Sequence, residues 1–419
     1  MLGINRKADV FFFLLLLFSF VLLSIPLNIT VDAETKTIVV PDDYLTLQDA
    51  VSNASEGFTI RIKEGVYDEP MNMSVVINKT ISIIGENPET TIVNVYPPYT
   101  QTSIISNLFF VDYSDCVTLR AGDSELKGLT IVFKPTCTSG EVTGGRVSVT
   151  GNRNNLTNNI LQTPQLLITG SQNNITENTV NHMLIQGYYN NISKNTVLMT
   201  NRYTGAISVE GSFNLIEKNV ASNILLSYAH SNNITKNRCE RIEIGSHGMS
   251  KQNIISENVV NGKETPYNDG GILIPFGSDN LLYGNNITNF GNGKSALFIN
   301  VMNSGNNTFY RNNFVNNSVQ VDISKPGADE KTNFWDNGKE GNYWSDYYGT
   351  DANGDGIGDT PFIIDENRQD NYPLMEPFVL SGDIPEDIPE FSSWLILPIL
   401  ASVAAMEFLY KRKLAKTPN

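Results

Sequence analysis

A short Asn-rich phrase recurs through the middle of this chain and restricts its possible folds more than any other feature. Two Asn residues are followed by an apolar residue and a Thr or Ser, and another Asn closes the phrase, as in residues 154–159, 173–178 and 190–195. Looser copies end at Asn219, Asn237, Asn258, Asn285 and Asn312. The closing Asn therefore returns after 17 to 27 residues, a period typical of solenoid repeats.

Each phrase follows a short strand-like run of apolar residues. These runs are residues 166–169, 183–186, 207–210, 224–227, 242–244 and 272–274. Helical repeats would need apolar residues at i, i+3, i+4 and i+7, whereas here β-branched triplets alternate with Asn, Gly and Ser. The pattern predicts an all-β, right-handed parallel β-helix whose coils stack about 4.8 Å apart.

We interpret the closing Asn residues as structural. Asn tolerates the left-handed backbone conformation that a sharp corner requires, and stacked amides hydrogen bond along a column of strands. The Ile, Leu and Val residues beside them are expected to form the core.

The charge balance restricts the partners of the chain. Its 419 residues include 29 Lys and Arg and 44 Asp and Glu, which gives a formal net charge of −15. Because binding to nucleic acid needs clustered cationic side chains, this balance argues against a DNA- or RNA-binding function.

Both ends of the chain are strongly apolar and predict export and anchoring. Arg6 and Lys7 precede the apolar run 11–23, as in a secretory signal; we predict cleavage after Ala33, with an uncleaved signal anchor as the alternative. Residues 391–410 have a bilayer-spanning length, and basic residues follow at 411–413. The positive-inside rule then places the tail in the cytoplasm and the body of the chain on the cell surface.

These boundaries predict five segments: a signal peptide (1–33), the β-helix (34–376), an acidic Pro-rich linker (377–390), a transmembrane anchor (391–410) and a cytoplasmic basic tail (411–419). Within the β-helix we expect an N-terminal cap at 37–70, repeats at 75–325 and a calcium-loop-like C-terminal cap at 335–376. Ten Asn-x-Ser/Thr sequons in the exported body make it a candidate glycoprotein.

The first part of the predicted β-helix resembles the opening of the pectin-lyase-like superfamily. Strand-like runs at 38–40 and 59–62 flank a short helical pattern, in which Thr46 and Asp49 form an N-cap pair. The apolar stripe of this helix consists of Leu47, Ala50, Val51 and Ala54. Such a helix would cover the open end of the coil stack.

The chain resembles more closely the NosD-type branch of this superfamily, and archaeal surface proteins built in the same way, over roughly residues 37–374. The closing segments 341–347, 351–359 and 370–374 make the resemblance specific. It implies an exported partner of a transporter in the maturation of a copper enzyme. Cys116 and Cys137 lie one coil apart, so that a disulfide between adjacent coils is possible.

A calcium loop is predicted in the C-terminal cap. Its side-chain oxygens would come from Asp351, Asn353, Asp355 and Asp359, and Ile357 would add a backbone carbonyl. The twelfth position is Phe362 instead of Glu, so the bidentate ligand comes from elsewhere, with Asp365 and Glu366 as candidates, or is absent. The alternative is an acidic Asn/Gly turn without metal.

Aromatic and histidine side chains gather on one edge when the repeats are aligned. They are Tyr188, Tyr189, Phe213, Tyr228, His230, His247 and Phe276. Rings in a row suit stacking on sugar rings with a polar group nearby. We predict a carbohydrate-binding edge here, with packing among the rings alone as the alternative.

Two other functions stay open. Glycoside hydrolysis needs two carboxylates about 5 to 10 Å apart, and as a polysaccharide lyase or hydrolase the chain could use Glu210, Glu240, Glu243 or Asp269. Copper prefers His, Met and thiolate ligands, for which His230 and His247 are the candidate pair. We favour a non-catalytic, membrane-anchored surface protein that binds extracellular or envelope polysaccharide or forms part of the envelope.

Overall fold

The computed structural model describes residues 36–98, 114–135, 145–198, 205–262, 270–324, 330–382 and 384–385. From Thr37 onward these residues form a parallel β-helix, as predicted, in which strands of successive coils pair in parallel. The predicted signal, anchor and tail lie outside the described residues. Within them, no helix is both long and apolar enough to cross a membrane.

Three parallel sheets run along the column, and a typical coil gives one strand to each. Sheet A has twelve strands: Thr37–Val40, Thr59–Ile62, Ser82–Gly85, Glu125–Lys127, Asn155–Thr157, Asn174–Thr176, Asn191–Ser193, Leu215–Glu217, Asn233–Thr235, Ile254–Ser256, Leu281–Tyr283 and Thr308–Tyr310. Sheet C has eleven: Val75–Ile77, Ser114–Leu119, Gly145–Val149, Gln165–Ile168, Met183–Ile185, Ala206–Val209, Asn223–Leu226, Arg241–Ile244, Gly270–Ile274, Ser295–Ile299 and Val319–Ile323.

Sheet B lies between them along the chain and consists of two runs of strands linked through bridges at Val220. The first run is Gly65–Asp68, Thr91–Val95, Thr130–Phe133, Ile160–Gln162, Thr179–Val180 and Thr196–Val197. The second is Arg238–Cys239, Val259–Asn261, Asn286–Thr288, Asn313–Val315 and Tyr343–Trp344. Two further pairs stand apart: Ser250–Lys251 with Gly277–Ser278, and the antiparallel Phe362–Asp365 with Arg368–Asp370.

The core is a column of stacked aliphatic side chains. Ile175, for example, is fully buried and pairs in register with Leu156 on one side and Ile192 on the other. Near the C-terminal end the aliphatic stack becomes aromatic, because Phe314 stacks on Trp344 and Trp344 on Phe362, with ring centroids 4.4 and 4.3 Å apart. Large rings thus close the end of the column.

The N-terminal end is closed by the predicted helix, α1 (Leu47–Asn53). The Thr46 side chain caps it by accepting a hydrogen bond from the Asp49 amide, and the predicted stripe of Leu47, Ala50, Val51 and Ala54 is buried. The buried Glu69 carboxylate accepts hydrogen bonds from the first two helical amides, at 2.7 and 2.9 Å. These contacts satisfy amides that a helix start leaves without partners.

The residues after the C-terminal cap turn back along the column. Phe378 exchanges two backbone hydrogen bonds with the Asn313 side chain, Ser381 binds Glu257, and the Pro385 carbonyl accepts from Arg238 at 2.7 Å. The first part of the predicted linker therefore contacts several coils of the β-helix.

Candidate functional site

Two columns of buried Asn residues line two corners of the coil. The first corner, between sheets C and A, contains Asn154, Asn173, Asn190, Asn214, Asn232, Asn253, Asn280, Asn307 and Asn333. The second corner, between sheets A and B, contains Asn159, Asn178, Asn195, Asn219, Asn237, Asn258, Asn285, Asn312 and Asn342. The second column includes all the closing Asn residues of the sequence phrase, so their structural role is confirmed.

Most ladder Asn residues bond to the next coil through both the backbone and the side chain. Asn195 is typical: its backbone amide and its side-chain amide both donate to Oδ1 of Asn219, at 2.9 and 3.0 Å, and the side chain also donates to the Ile175 carbonyl. These amides stay paired although they are inaccessible to solvent, which offsets the cost of burying them.

The prediction that the ladder Asn itself adopts the left-handed conformation is wrong. At both corners the preceding residue does so, for example Tyr189 (φ 57°) and Phe213 (φ 59°) at the first corner and Lys194 and Lys218 (both φ 54°) at the second. The ladder Asn is held by its inward hydrogen bonds, so its neighbour makes the reversal. That neighbour is free to carry an outward side chain of any type.

On two adjacent coils of the first corner, this outward position carries an aromatic ring. Tyr189 and Phe213 occupy equivalent positions on adjacent coils and stack with centroids 5.1 Å apart and planes 9° from parallel. Their side chains are 60% and 50% exposed, and the neighbouring Tyr188 is 51% exposed. The result is a flat apolar surface that faces solvent.

The other predicted residues extend this edge over the next coils. Tyr228 lies over Gly248, where a Cβ atom would come within 2.2 Å of the ring. Phe276 lies one coil further, and its carbonyl accepts a hydrogen bond from Ser250. All seven predicted carbohydrate-binding residues thus lie in first-corner turns of five consecutive coils, which we call the aromatic edge.

Both histidines of the aromatic edge contact neighbouring coils through Nδ1. The Lys251 amide donates to His230 Nδ1 at 3.2 Å, and His247 Nδ1 lies 3.2 Å from the Ser227 hydroxyl. Within the described ranges, no group of three or more His, Cys, Asp or Glu side chains is arranged to hold a metal. The copper role that the NosD resemblance implies stays a prediction.

Polar groups border the rings. Gln186 donates to Glu210 at 2.8 Å, and both residues directly follow a sheet C strand on adjacent coils, those of Tyr189 and Phe213. Gln186 could not be selected from the sequence, because only the register of the coils brings it beside Glu210. Glu243 lies within a sheet C strand and pairs with Arg241, and Asp269 lies outside the described residues.

The predicted calcium loop is held by its own backbone. Asp351 accepts hydrogen bonds from the amides of Gly354 and Gly356, at 2.7 and 2.8 Å, one on each carboxylate oxygen. Asp355 accepts from the Ile357 amide, and Asp359 from the Ala352 amide. An acidic turn stabilised in this way accounts for the sequence pattern, and the arrangement gives no support to calcium binding. Asn353 belongs to the same turn, because its side chain bonds to Asp355.

The predicted disulfide involves one described residue. Cys116 is buried in the sheet C strand Ser114–Leu119, and Cys137 lies outside the described residues. The pairing stays a prediction.

Several solved structures are similar to this chain. A PL6 family alginate lyase is 15% identical, with 73% of this chain and 51% of that chain covered and a TM-score of 0.45. A PL6 family polysaccharide lyase from Pseudopedobacter saltans is 13% identical, with 71% and 91% covered and a TM-score of 0.40. The chain spans about half the length of the first of these structures. Similarity this distant leaves the function to be argued from the residues of this chain.

Sequence comparison gives one further result. No curated protein matches the chain. The model of the NosD family, described as a periplasmic copper-binding protein, matches residues 147–349, which include most of the Asn ladder. Over that part of the chain, the predicted resemblance to NosD is confirmed.

Proposed function

We propose that the protein is a surface protein that binds polysaccharide along its aromatic edge without cleaving it. The observation that carries this proposal is the exposed, stacked pair formed by Tyr189 and Phe213. Monomeric proteins rarely expose large apolar surfaces without a binding role, and flat rings bordered by polar groups suit the apolar faces of sugars.

The polar border of the edge supports binding more than hydrolysis. Glu210 is the carboxylate beside the rings, and it is held by Gln186. Glu243 is already paired with Arg241. Hydrolysis would require a second carboxylate placed across a glycosidic bond from the first, and these contacts do not prepare such a pair.

The test compares two double variants of the full-length protein on a glycan array. Tyr189→Ala with Phe213→Ala removes the stacked pair, and Lys194→Ala with Lys218→Ala changes the left-handed positions of the same two coils at the second corner. We expect the first variant to lose its array signals and the second to keep them. Unaltered binding in the first variant would overturn the proposal.

Catalysis is tested on the same material. Uronate-containing and neutral polysaccharides are incubated with the protein, and reducing ends and unsaturated products are measured. Their accumulation would show that the chain is a hydrolase or lyase instead.

Export and anchoring are part of the same proposal and rest on the two apolar ends of the sequence. Cell fractionation of the full-length chain and of a chain ending at residue 390 tests them. We expect the longer chain in the membrane fraction, accessible to external protease, and the shorter chain in the medium.

A further inference from the structure

A cleft of about 430 Å³ lies at the C-terminal end of the column, two coils beyond Phe276 of the aromatic edge. One wall is the segment 330–336, where the first Asn column ends, and the other is the segment 367–371. These segments are more than thirty residues apart in sequence, so the repeat pattern gives no hint of the cleft. Its volume falls within the range of small-molecule sites in proteins.

The walls are connected by ion pairs and amide contacts. The Arg368 side chain is only 10% exposed and binds Glu330 at 2.9 Å and Asp365 at 2.5 Å. Across the cleft, the Asn371 side chain donates to Asp336 at 2.9 Å. Preformed walls of this kind reduce the ordering cost of binding a ligand.

Two aromatic residues belong to the lining. Phe334 is 50% exposed. Trp335 is 3% exposed and stacks on Phe309, with centroids 4.9 Å apart. The Trp335 indole N–H is buried and has no hydrogen-bond partner among the described residues. Because this N–H is inaccessible to solvent, Trp335 contributes to the wall of the cleft through its ring.

The charges of the cleft favour a neutral ligand. The charged residues of its lining balance, because Glu330 and Asp336 are negative and Lys331 and Arg368 are positive. The Arg368 guanidinium is also compensated by Glu330 and Asp365. The remaining polar groups, Asn367 and Gln369, offer amide donors and acceptors. A half-exposed ring beside such amides suits a compact molecule with hydroxyl groups and one apolar face.

We propose that this cleft binds one or two units of a neutral saccharide. It is a site separate from the aromatic edge and does not depend on the function proposed for that edge. Because the cleft is enclosed by two walls at the end of the column, it receives a chain end or a free sugar, whereas the open edge contacts the flank of a longer polymer.

The test uses full-length protein, calorimetry and fluorine NMR. The probes are the methyl glycosides of glucose, galactose, mannose and N-acetylglucosamine, with methyl galacturonate as the anionic comparison. Protein labelled with 5-fluorotryptophan reports on Trp335, whose resonance is assigned with Trp335→Phe. We expect at least one neutral glycoside to bind and to shift that resonance.

Variants decide whether binding occurs in the cleft. Phe334→Ala and, separately, Gln369→Ala should weaken the affinity at least tenfold and threefold, whereas Lys218→Ala at the second corner should leave it unchanged. Gln369 is exposed, so its variant tests the site even if Phe334→Ala fails to fold. Failure of all four neutral glycosides to bind at 50 mM, on the order of the weakest useful affinities, would overturn the proposal. So would a preference for the uronate, or full affinity in both cleft variants.

Discussion

The two corners of the coil have the same buried Asn arrangement and differ in the side chains that they expose to solvent. At both, a buried Asn bonds to the next coil while the residue before it takes the left-handed conformation. We compare two adjacent coils. There, the left-handed residue is Tyr189 or Phe213 at the first corner and Lys194 or Lys218 at the second. The fold requires the Asn and leaves its neighbour open, so function is to be sought among the neighbours.

We expect the largest loss of stability when a ladder Asn is substituted, and this loss tests whether the two corners have equivalent interiors. The Asn214 and Asn219 side chains each donate to a carbonyl and to the next Asn, and each accepts two bonds from the preceding Asn. Substituting either by Ala leaves several buried groups unpaired and should lower the free energy of unfolding by about 3 to 5 kcal/mol. Urea denaturation of the two variants measures their free energies of unfolding. Losses that differ by much more than about 1 kcal/mol would mean that the corners are not equivalent inside.

The next effect concerns the end of the second column, where the ladder meets a carboxylate instead of another amide. Asp370 accepts hydrogen bonds from the Asn342 backbone amide at 2.7 Å and from the Trp344 indole at 2.9 Å. Burial raises the pKa of Asp370 from 3.8 to about 6, although these hydrogen bonds act in the opposite direction. The folded protein therefore binds a proton more tightly than the unfolded chain does.

The direction of this pKa shift determines how the stability of the protein depends on pH. Between about pH 4 and pH 6 the unfolded chain loses the proton first, so the contribution of Asp370 to stability falls as pH rises, by about 2 to 3 kcal/mol in total. Asp370→Asn should remove this fall. We would compare the unfolding free energies of both proteins from pH 4 to 7, and parallel curves would contradict the assignment.

A smaller effect tests the difference between the exteriors. Tyr189→Lys with Phe213→Lys gives the first corner the surface of the second, and should reduce polysaccharide affinity about tenfold or more. Lost stacking would cost about 0.5 to 1.5 kcal/mol of stability. Calorimetry with a ligand identified on the array measures the affinity, and a reduction of less than twofold would show that the rings serve packing alone.

The smallest effect concerns the left-handed residue itself. A side chain with a Cβ atom is strained at φ 54°, so Lys218→Gly should stabilise the protein by about 0.5 to 1 kcal/mol. Phe213→Gly relieves the same backbone strain but removes the ring that stacks on Tyr189. The net change in stability should therefore be near zero. Thermal unfolding of the two variants measures this. Equal gains at both positions would mean that the stacked pair contributes nothing to stability.

Repetition explains how much of the fold the sequence could predict. The Asn phrase marks each coil, and the N-cap helix follows from the local pattern around Thr46. The phrase does not tell which residue of a corner makes the reversal, because Asn is itself common in that conformation, and the inward hydrogen bonds that decide the matter are contacts between coils.

The parts of the structure that could not be predicted from the sequence depend on contacts between distant segments. The return of Ser381 and Pro385 to the column joins residues 124 and 147 positions apart, and the cleft joins two non-repeating segments. The calcium loop stays a prediction, because Asp and Asn side chains that bind backbone amides in a tight turn have the same spacing as metal ligands.

The Asn ladders also give the column an electric dipole along its axis. Each side-chain amide donates toward the following coil, from Asn159 to Asn178 and on to Asn342, so the amide dipoles add head to tail as they do along an α-helix. The positive end of this array lies at the C-terminal cap. A carboxylate is the group that such an end attracts, and Asp370 occupies that position, with Gly341 so close to it that a Cβ atom would lie 1.7 Å from its oxygen. Adding coils would lengthen the array without changing its end, so one acidic residue is sufficient to terminate a ladder of any length.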